Sequence, residues 1–388
     1  MKQGKLALLL LFITSISFAQ TDSTKKKKME WLELNGYLKF MQTLAISPDT
    51  NMFVDNLWHN RLNFKAFVSK KSTLYAEFRS RVFYGNSVRS IPSYGELINS
   101  YDGALPLEWL LVDNESAVVS VIADRLYYDY TSDKIQFRAG RQRINWGINT
   151  TWNPNDIFNS YNIYDFDYEE REGSDALRMK FFPNYYSSID FAYKFTGYFK
   201  RDVFAAMYKF NKSNYDIQLL AGKFHEKISV GGGWAGSIKL IGFKGEVTYF
   251  IPYTEVGDHN VSFSTAFDYS WSNGSGLMAT YLFNSSGTND VIDPSLSVTA
   301  IPDAEHLMPA KHSTMVNYSR QLSPISSLNV GALYSFGVNS FVLFPTYTLN
   351  LKSNLDLDLI GQLFFQELPN EDFSNLGNGI YWRLKMSF

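Results

Sequence analysis

Ile380-Tyr381-Trp382-Arg383-Leu384-Lys385-Met386-Ser387-Phe388 closes the chain, and its alternation decides the fold. Successive side chains of an extended segment point to opposite faces. Ile380, Trp382, Leu384, Met386 and Phe388 therefore share one face, and Tyr381, Arg383, Lys385 and Ser387 the other. One face suits hydrocarbon and the other suits water. The last strand of a soluble sandwich is the competing reading, so the rest of the chain has to decide.

Working back from that segment, the same pattern recurs: near ten residues of alternation, then a turn or loop. Leu355, Leu357, Leu359 and Leu363 alternate with Asp356, Asp358 and Gln362; Phe243, Val247 and Tyr249 with Lys244, Glu246 and Thr248. Leu74, Ala76, Phe78 and Val82 alternate with Tyr75, Glu77, Arg79 and Arg81, and Leu62, Phe64, Ala66 and Val68 with Arg61, Asn63 and Lys65. The pattern predicts about 18 strands, within a range of 16–18, an even number as bacterial barrels require. The longest gaps, 85–117, 147–174, 285–311 and 366–378, all follow odd-numbered strands. Tight turns such as Thr131-Ser132-Asp133, Asn211-Lys212-Ser213 and Ser272-Asn273-Gly274 fall on the opposite side. Hydrocarbon offers no water to unpaired backbone groups, so a sheet can span it only as a closed ring. The expected fold class is all-β: a transmembrane antiparallel β-barrel over residues 35–388, with long extracellular loops. The final segment resembles the terminal strand of outer-membrane barrels. That resemblance implies recognition by the barrel-assembly machinery through the strand ending at Phe388.

The N-terminus reads as a processing segment. Lys2 and Lys5 precede the apolar run Leu6 to Ile13, and Ser17-Phe18-Ala19 offers a small-residue cleavage site, so 1–19 is expected to be a signal peptide. Residues 20–34, with the basic run Lys25 to Lys28, are expected to form a solvated periplasmic leader. The chain has 0 Cys, which excludes disulfides, thiolate sites and a lipidated anchor. Its 25 Tyr, 31 Phe and 8 Trp suit rings lining two membrane interfaces. A net charge of -2 argues against a nucleic-acid partner. The expected surroundings are the outer-membrane bilayer of a Gram-negative cell and small polar solutes.

Charge on the polar faces is concentrated early. Arg61, Lys65, Arg79, Arg81, Arg125 and Arg138 lie on consecutive strands, with Glu77 and Asp129 among them. They read either as a basic stripe selecting anions, as rings of Arg or Lys do in anion pores, or as a network of wall-bracing ion pairs. The gap after the fifth strand is opposite in sign, carrying Asp156, Asp165, Asp167, Glu169, Glu170, Glu172 and Asp175. That loop is expected to fold inward and, with Trp152 and Asn155, to form a constriction against the basic wall; an acidic surface loop is the plainer alternative. The carboxylates do not match the spacing of a calcium loop, and no metal is expected.

Before that loop stands Gly140-Arg141-Gln142-Arg143-Ile144-Asn145-Trp146-Gly147, followed by Trp152-Asn153-Pro154-Asn155-Asp156-Ile157-Phe158-Asn159. Here Ile135, Phe137 and Ala139 share a face with Arg141 and Arg143. Either the strand has already left the apolar layer or a bulge at Gly140 turns the arginines inward. The stretch resembles a motif of alginate-export-type outer-membrane porins and their uncharacterised relatives, over about forty residues. The resemblance implies a monomeric barrel with a charged lumen passing polar or anionic solutes, saccharides among them.

Catalysis would need a base beside a nucleophile. His312 and Ser313 are neighbours on a strand and point apart, and no Gly-x-Ser-x-Gly, His-Glu-x-x-His or glycine-rich phosphate loop occurs. No catalytic or cofactor-binding residue is expected. The reading is a passive channel. The alternative is a plugged or partner-binding barrel with a structural or export role, in which the gap from Gly85 to Ala117, with Tyr94, Tyr101, Leu107, Trp109 and Leu110, is a docking surface; a barrel enzyme ranks behind both.

Overall fold

In a computed structural model the described residues are 31–49, 51–99, 103–159, 163–165, 167, 171–253, 257–294, 302–369 and 372–388. The expected signal peptide and most of the leader lie outside them. Among the described residues nineteen strands form one sheet. They are β1 (Leu32–Ile46), β2 (Met52–Phe67), β3 (Ser72–Gly85), β4 (Glu108–Asn114), β5 (Ala117–Thr131), β6 (Ile135–Gln142), β7 (Ser174–Asn184), β8 (Ser187–Lys194), β9 (Val203–Lys212) and β10 (Tyr215–Phe224). The remainder are β11 (Lys227–Ile238), β12 (Ile241–Pro252), β13 (Asn260–Ser270), β14 (Ser275–Asn284), β15 (His312–Ser323), β16 (Ser326–Phe336), β17 (Ser340–Lys352), β18 (Leu355–Glu367) and β19 (Phe373–Ser387).

Every ladder is antiparallel, and β19 pairs with β1 from Tyr37↔Ser387 to Ile46↔Asn378, so the sheet closes on itself. Two backbone bonds seal the seam, Gly36 N–H to the Phe388 carbonyl at 3.1 Å and Phe388 N–H to the Gly36 carbonyl at 3.0 Å. β3 pairs directly with β5, while β4 pairs only with β5, so the ring itself has 18 strands. The eighteen expected strands are these eighteen. β4 was not expected, and its cause lies in β6. That strand ends at Gln142 rather than near residue 146, leaving the upper edge of β5 without a wall partner, and β4 pairs there instead. The expected gap 366–378 is also shorter, because Phe373 already pairs with Glu367.

The long connections gather at one end of the barrel, hereafter the loop end, beside two short ones after β10 and β16, while every connection at the other, the turn end, has two to four residues. The residue distribution inverts that of a soluble globule. Phe137, Leu177, Met179, Leu219, Leu359 and Ile380 are exposed on the outer face, where the Phe40 ring packs at a tilt against Trp58 and Trp382, with centroids 4.8 and 5.1 Å away. Lys39, Arg61, Arg141, Gln218 and Glu246 are buried inside. Ile380 and Trp382 face outward while Arg383 turns inward to ion-pair with Asp358, as the terminal alternation requires. Among the described residues no helix is long and apolar enough to cross a membrane; the short helices Asn86–Ser90 and Tyr94–Ile98 sit at the loop end.

Candidate functional site: a loop across the lumen

The early basic residues do converge on one wall. Arg61 on β2 donates to Asp124 at 2.5 Å and to Glu77 at 2.6 Å, and the Arg79 guanidinium lies 3.2 Å from the same Asp124 carboxylate. Asp124 is buried because β5 bulges there. Glu77 pairs with Arg125 and Phe78 with Ala123, leaving Asp124 as the extra residue, so Asp124 and Arg125 both turn inward. Arg125 donates to the Asp124 carbonyl at 2.7 Å and to the Arg171 carbonyl. Arg138 pairs with Asp129, Arg81 donates to the Ile98 carbonyl at 2.9 Å, and Lys65 lies 3.6 Å from Glu33 near the surface. Each of these cations has a carboxylate or carbonyl neighbour, so the wall is compensated from within. Asp124 is the residue that sequence reasoning missed. Its signal was two consecutive charges, Asp124-Arg125, inside an otherwise alternating strand.

At Gly140 the backbone takes φ of +115°, and a Cβ there would stand 2.3 Å from the Leu126 carbonyl oxygen. Only glycine suits that position. The twist turns Arg141 inward, where it is fully buried between Asp175 at 2.7 Å, Glu108 and the Leu105 carbonyl at 2.6 Å. The register of β6 with β5 and β7 is unbroken, so the arginine is redirected by a positive φ and not by a bulge at Gly140, one of the two alternatives left open by the sequence. Arg143 follows, half-buried, where the chain leaves the wall.

From there residues 143–159 run into the lumen. Trp146 is wholly buried; its Nε1 donates to Asp190 on β8 at 3.1 Å, and its carbonyl accepts from Gln218 on β10 at 2.9 Å. Glu246 on β12 then holds the loop backbone. Its carboxylate accepts the N–H groups of Asn149 at 2.6 Å, Asn155 at 3.0 Å and Ile148. The Asn149 amide donates to Ser264 on β13 at 2.6 Å, and the Asn155 amide donates to the Gly232 carbonyl on β11 at 3.0 Å. Thr248 donates to the Asn155 amide oxygen at 2.7 Å. This closeness needs bare backbone on the wall, since a Cβ at Gly231 would come within 2.8 Å of the Asn155 amide oxygen. Trp152 belongs to a buried cluster with Leu282, Leu333, Val342 and, from a second inward-folded loop, Leu307 and Met308.

The far end of the loop reaches the seam of the barrel. The Tyr164 carbonyl accepts from Gln362 on β18 at 2.9 Å. Asp167 pairs with the fully buried Lys39 on β1 at 2.7 Å and lies 3.5 Å from both His59 on β2 and Arg383 on β19. Burial disfavours the Asp167 anion, but the His59 and Lys39 contacts outweigh it and hold the carboxyl below the usual range. Asp156 behaves oppositely. Burial pushes its carboxyl up to about 6 despite an ion pair with Arg171 at 2.8 Å and the Trp146 N–H. Burial also raises Glu172. Asp165 accepts the Asp167 N–H at 3.2 Å; Glu169 and Glu170 lie outside the described residues. The acidic loop thus meets cations on β1 and β19, Lys39 and Arg383, that were not singled out in the sequence. Glu246 was also missed, because on its own strand it is one more polar residue in an ordinary alternation.

The loop leaves two cavities on its turn-end side. One, of about 450 Å³, is lined by Ile148, Lys209, Asp216 and Gln218. The other, of about 500 Å³, lies against β13 to β17. In the gap from Gly85 to Ala117, a docking surface only under the alternative reading, Tyr94 packs edge-on against Phe83 at 5.8 Å, Trp109 on β4 is exposed, and Tyr101 lies outside the described residues. Among the described residues no group of three or more His, Asp or Glu is placed to hold a metal ion.

No protein-family model and no curated protein matches the sequence. Solved structures do match in fold. OccAB3 of Acinetobacter baumannii superposes with a TM-score of 0.59 at 9% identity, covering 92% of this chain and 99% of that one. A BenF-like porin from Pseudomonas fluorescens Pf-5 gives 0.58 at 10% identity, covering 92% and 99%. OccK3 (OpdO) of Pseudomonas aeruginosa gives 0.55 at 9%, covering 92% and 96%. At such identities the likeness is one of fold.

Proposed function

We propose that the chain is a porin-like channel of a Gram-negative outer membrane, open to passive diffusion of small polar or anionic solutes, saccharides among them, and without enzymatic activity. The observation that carries this reading is a closed barrel with an apolar outside and an inside that buries charged and amide groups beside apolar clusters at the loop, narrowed by that loop tethered to its walls. The fold shared with porins supports it; the resemblance of the Gly140 to Asn159 stretch to alginate-export-type porins rests on the sequence alone and is not confirmed by any family match. In this reading the long loops lie outside the cell and the short turns face the periplasm. The chain would enter through a cleaved signal peptide at 1–19 and be inserted by the barrel-assembly machinery through the strand ending at Phe388. Selectivity belongs to the wall of Arg61, Lys65, Glu77, Arg79, Arg81, Arg125, Asp129, Arg138, Arg141 and Arg143, and the constriction to the loop bearing Trp152, Asn155, Asp156, Asp165, Asp167, Glu169, Glu170 and Glu172.

The test is single-channel conductance of the refolded mature protein in a planar bilayer, beside a deletion spanning Ser160 to Gly173. Steady conductance that rises in the deletion supports a pore with its constriction in the loop. Equal conductance removes the loop from that role. The tethering of the loop to many strands favours a second reading, a plugged barrel with an export or structural role. A folded but silent protein would select it.

A further inference from the structure

The two sides of the lumen differ in chemistry. The β2 to β8 side carries the paired arginines, whereas the inward positions of β13 to β17 carry hydroxyl, amide and apolar side chains and, at Asp268, a carboxylate 3.2 Å from Lys244. The cavity of about 500 Å³ on that neutral side is lined by Asn317, Ser319, Asn329, Thr346 and Thr150, with no Lys or Arg in its lining. Ser319 on β15 pairs in register with Asn329 on β16, and Asn329 with Thr346 on β17. The three polar groups therefore stand in one row at the strand spacing, spanning roughly 10 Å. None of these three side chains, nor that of Asn317, has a hydrogen-bond partner among the described residues. Gly331 makes room for the Asn317 amide, since a Cβ there would stand 2.6 Å from its oxygen. Beside this row lie Met278, Met315 and Phe344, an apolar ledge.

We propose that this cavity is a binding site for a neutral, polyhydroxylated solute of about monosaccharide size. Each amide supplies two donors and an acceptor, and each hydroxyl supplies both roles, which matches a ring whose rim is hydroxyl groups. The apolar ledge faces the C–H surface such a ring also presents. An anion entering here would lose its hydration with no cation in the lining to replace it. A cation would find only Asp268, which already lies 3.2 Å from Lys244. The other turn-end cavity, with Lys209 and Asp216 in its lining, differs in offering an anion a lysine. The site deepens the channel reading, which supplies only the route by which the solute arrives.

The experiment is saturation-transfer NMR on the refolded full barrel in detergent, with D-glucose and maltose as probes and benzoate as an anionic control. Transfer to the sugar ring protons is expected, weakened about tenfold by Asn317→Leu with Asn329→Leu, since two hydrogen bonds are lost. Lys209→Gln, in the other cavity, should leave it unchanged. Ser319→Ala with Thr346→Val, a milder pair, serves if the first variant fails to give a heat-modifiable folded band. No transfer above a detergent blank, transfer undiminished in a folded variant, or benzoate saturating as well as sugar would overturn the site. Bilayer conductance is read separately. A conducting barrel that binds no sugar rejects the site and keeps the channel, and a silent barrel that binds sugar does the reverse.

Discussion

Glu246 on the wall and Asn149 in the crossing loop meet at 2.6 Å, carboxylate oxygen to backbone N–H, although 97 residues separate them. The same carboxylate also takes the N–H groups of Ile148 and Asn155, so one side chain satisfies three buried donors. Glu246→Ala would strand them at about 1–3 kcal/mol each, and undocking of the loop relieves that cost. The variant should fold as a barrel yet show raised, flickering conductance in a bilayer. Glu246→Gln, which keeps one acceptor oxygen, should fall between. Wild-type traces from a folded Glu246→Ala barrel would remove Glu246 from the tether.

Asp156 gives the loop a pH dependence of definite sign. Its carboxyl, at about 6 when docked, lies above the ordinary 3.8, so the docked loop holds its proton more tightly than the free loop. The favourable contribution is complete below the ordinary value and is lost as pH rises through about 6, an effect of roughly 3 kcal/mol at most. Amide exchange at 145–158, corrected for intrinsic rates, should show less protection at pH 7.5 than at pH 5. Asp156→Asn should reduce that difference, with Glu172, raised by the same burial, supplying a remainder of the same sign. Asp167, held low, should contribute equally across that interval.

Removal of Asp124 should act on both stability and selectivity. Arg61 and Arg79 share its carboxylate in the buried wall, and breaking such a pair typically costs about 3–5 kcal/mol. Asp124→Ala should lower the urea midpoint of unfolding and shift the reversal potential in a salt gradient toward anions. An unshifted reversal potential in a conducting variant would mean that solute passes away from this wall.

Gly140→Val tests the turn that redirects Arg141. With φ of +115° and a Cβ 2.3 Å from the Leu126 oxygen, the penalty should exceed about 1 kcal/mol. The heat-modifiable fraction after refolding should fall well below that of Gly222→Ala, whose φ is ordinary although its Cβ is also crowded.

The barrel was legible because alternation is a local property: Leu62, Phe64 and Ala66 declare their face without reference to any other strand. The site was legible only in outline. That an acidic loop follows the fifth strand could be read directly, but its partners Lys39, Arg383 and Glu246 sit on strands brought near it only by ring closure. β4 was hidden for a related reason. Its pairing depends on the vacancy left where β6 stops, and nothing in Glu108 to Asn114 announces that. Gly140 shows the limit of pattern reading, since a disturbed face could be seen while bulge and positive φ gave the same signature.

The loop's anchors on β1 and β11 stand half the ring apart. A thin hoop flattens into an ellipse far more readily than it stretches, and a strut across its diameter suppresses that motion. The loop, through anchors such as Asn155 and Asp167, therefore braces the cross-section as well as narrowing it. A barrel relieved of the loop should become both wider and rounder only on average, breathing between oval shapes, and its conductance should grow noisier as well as larger.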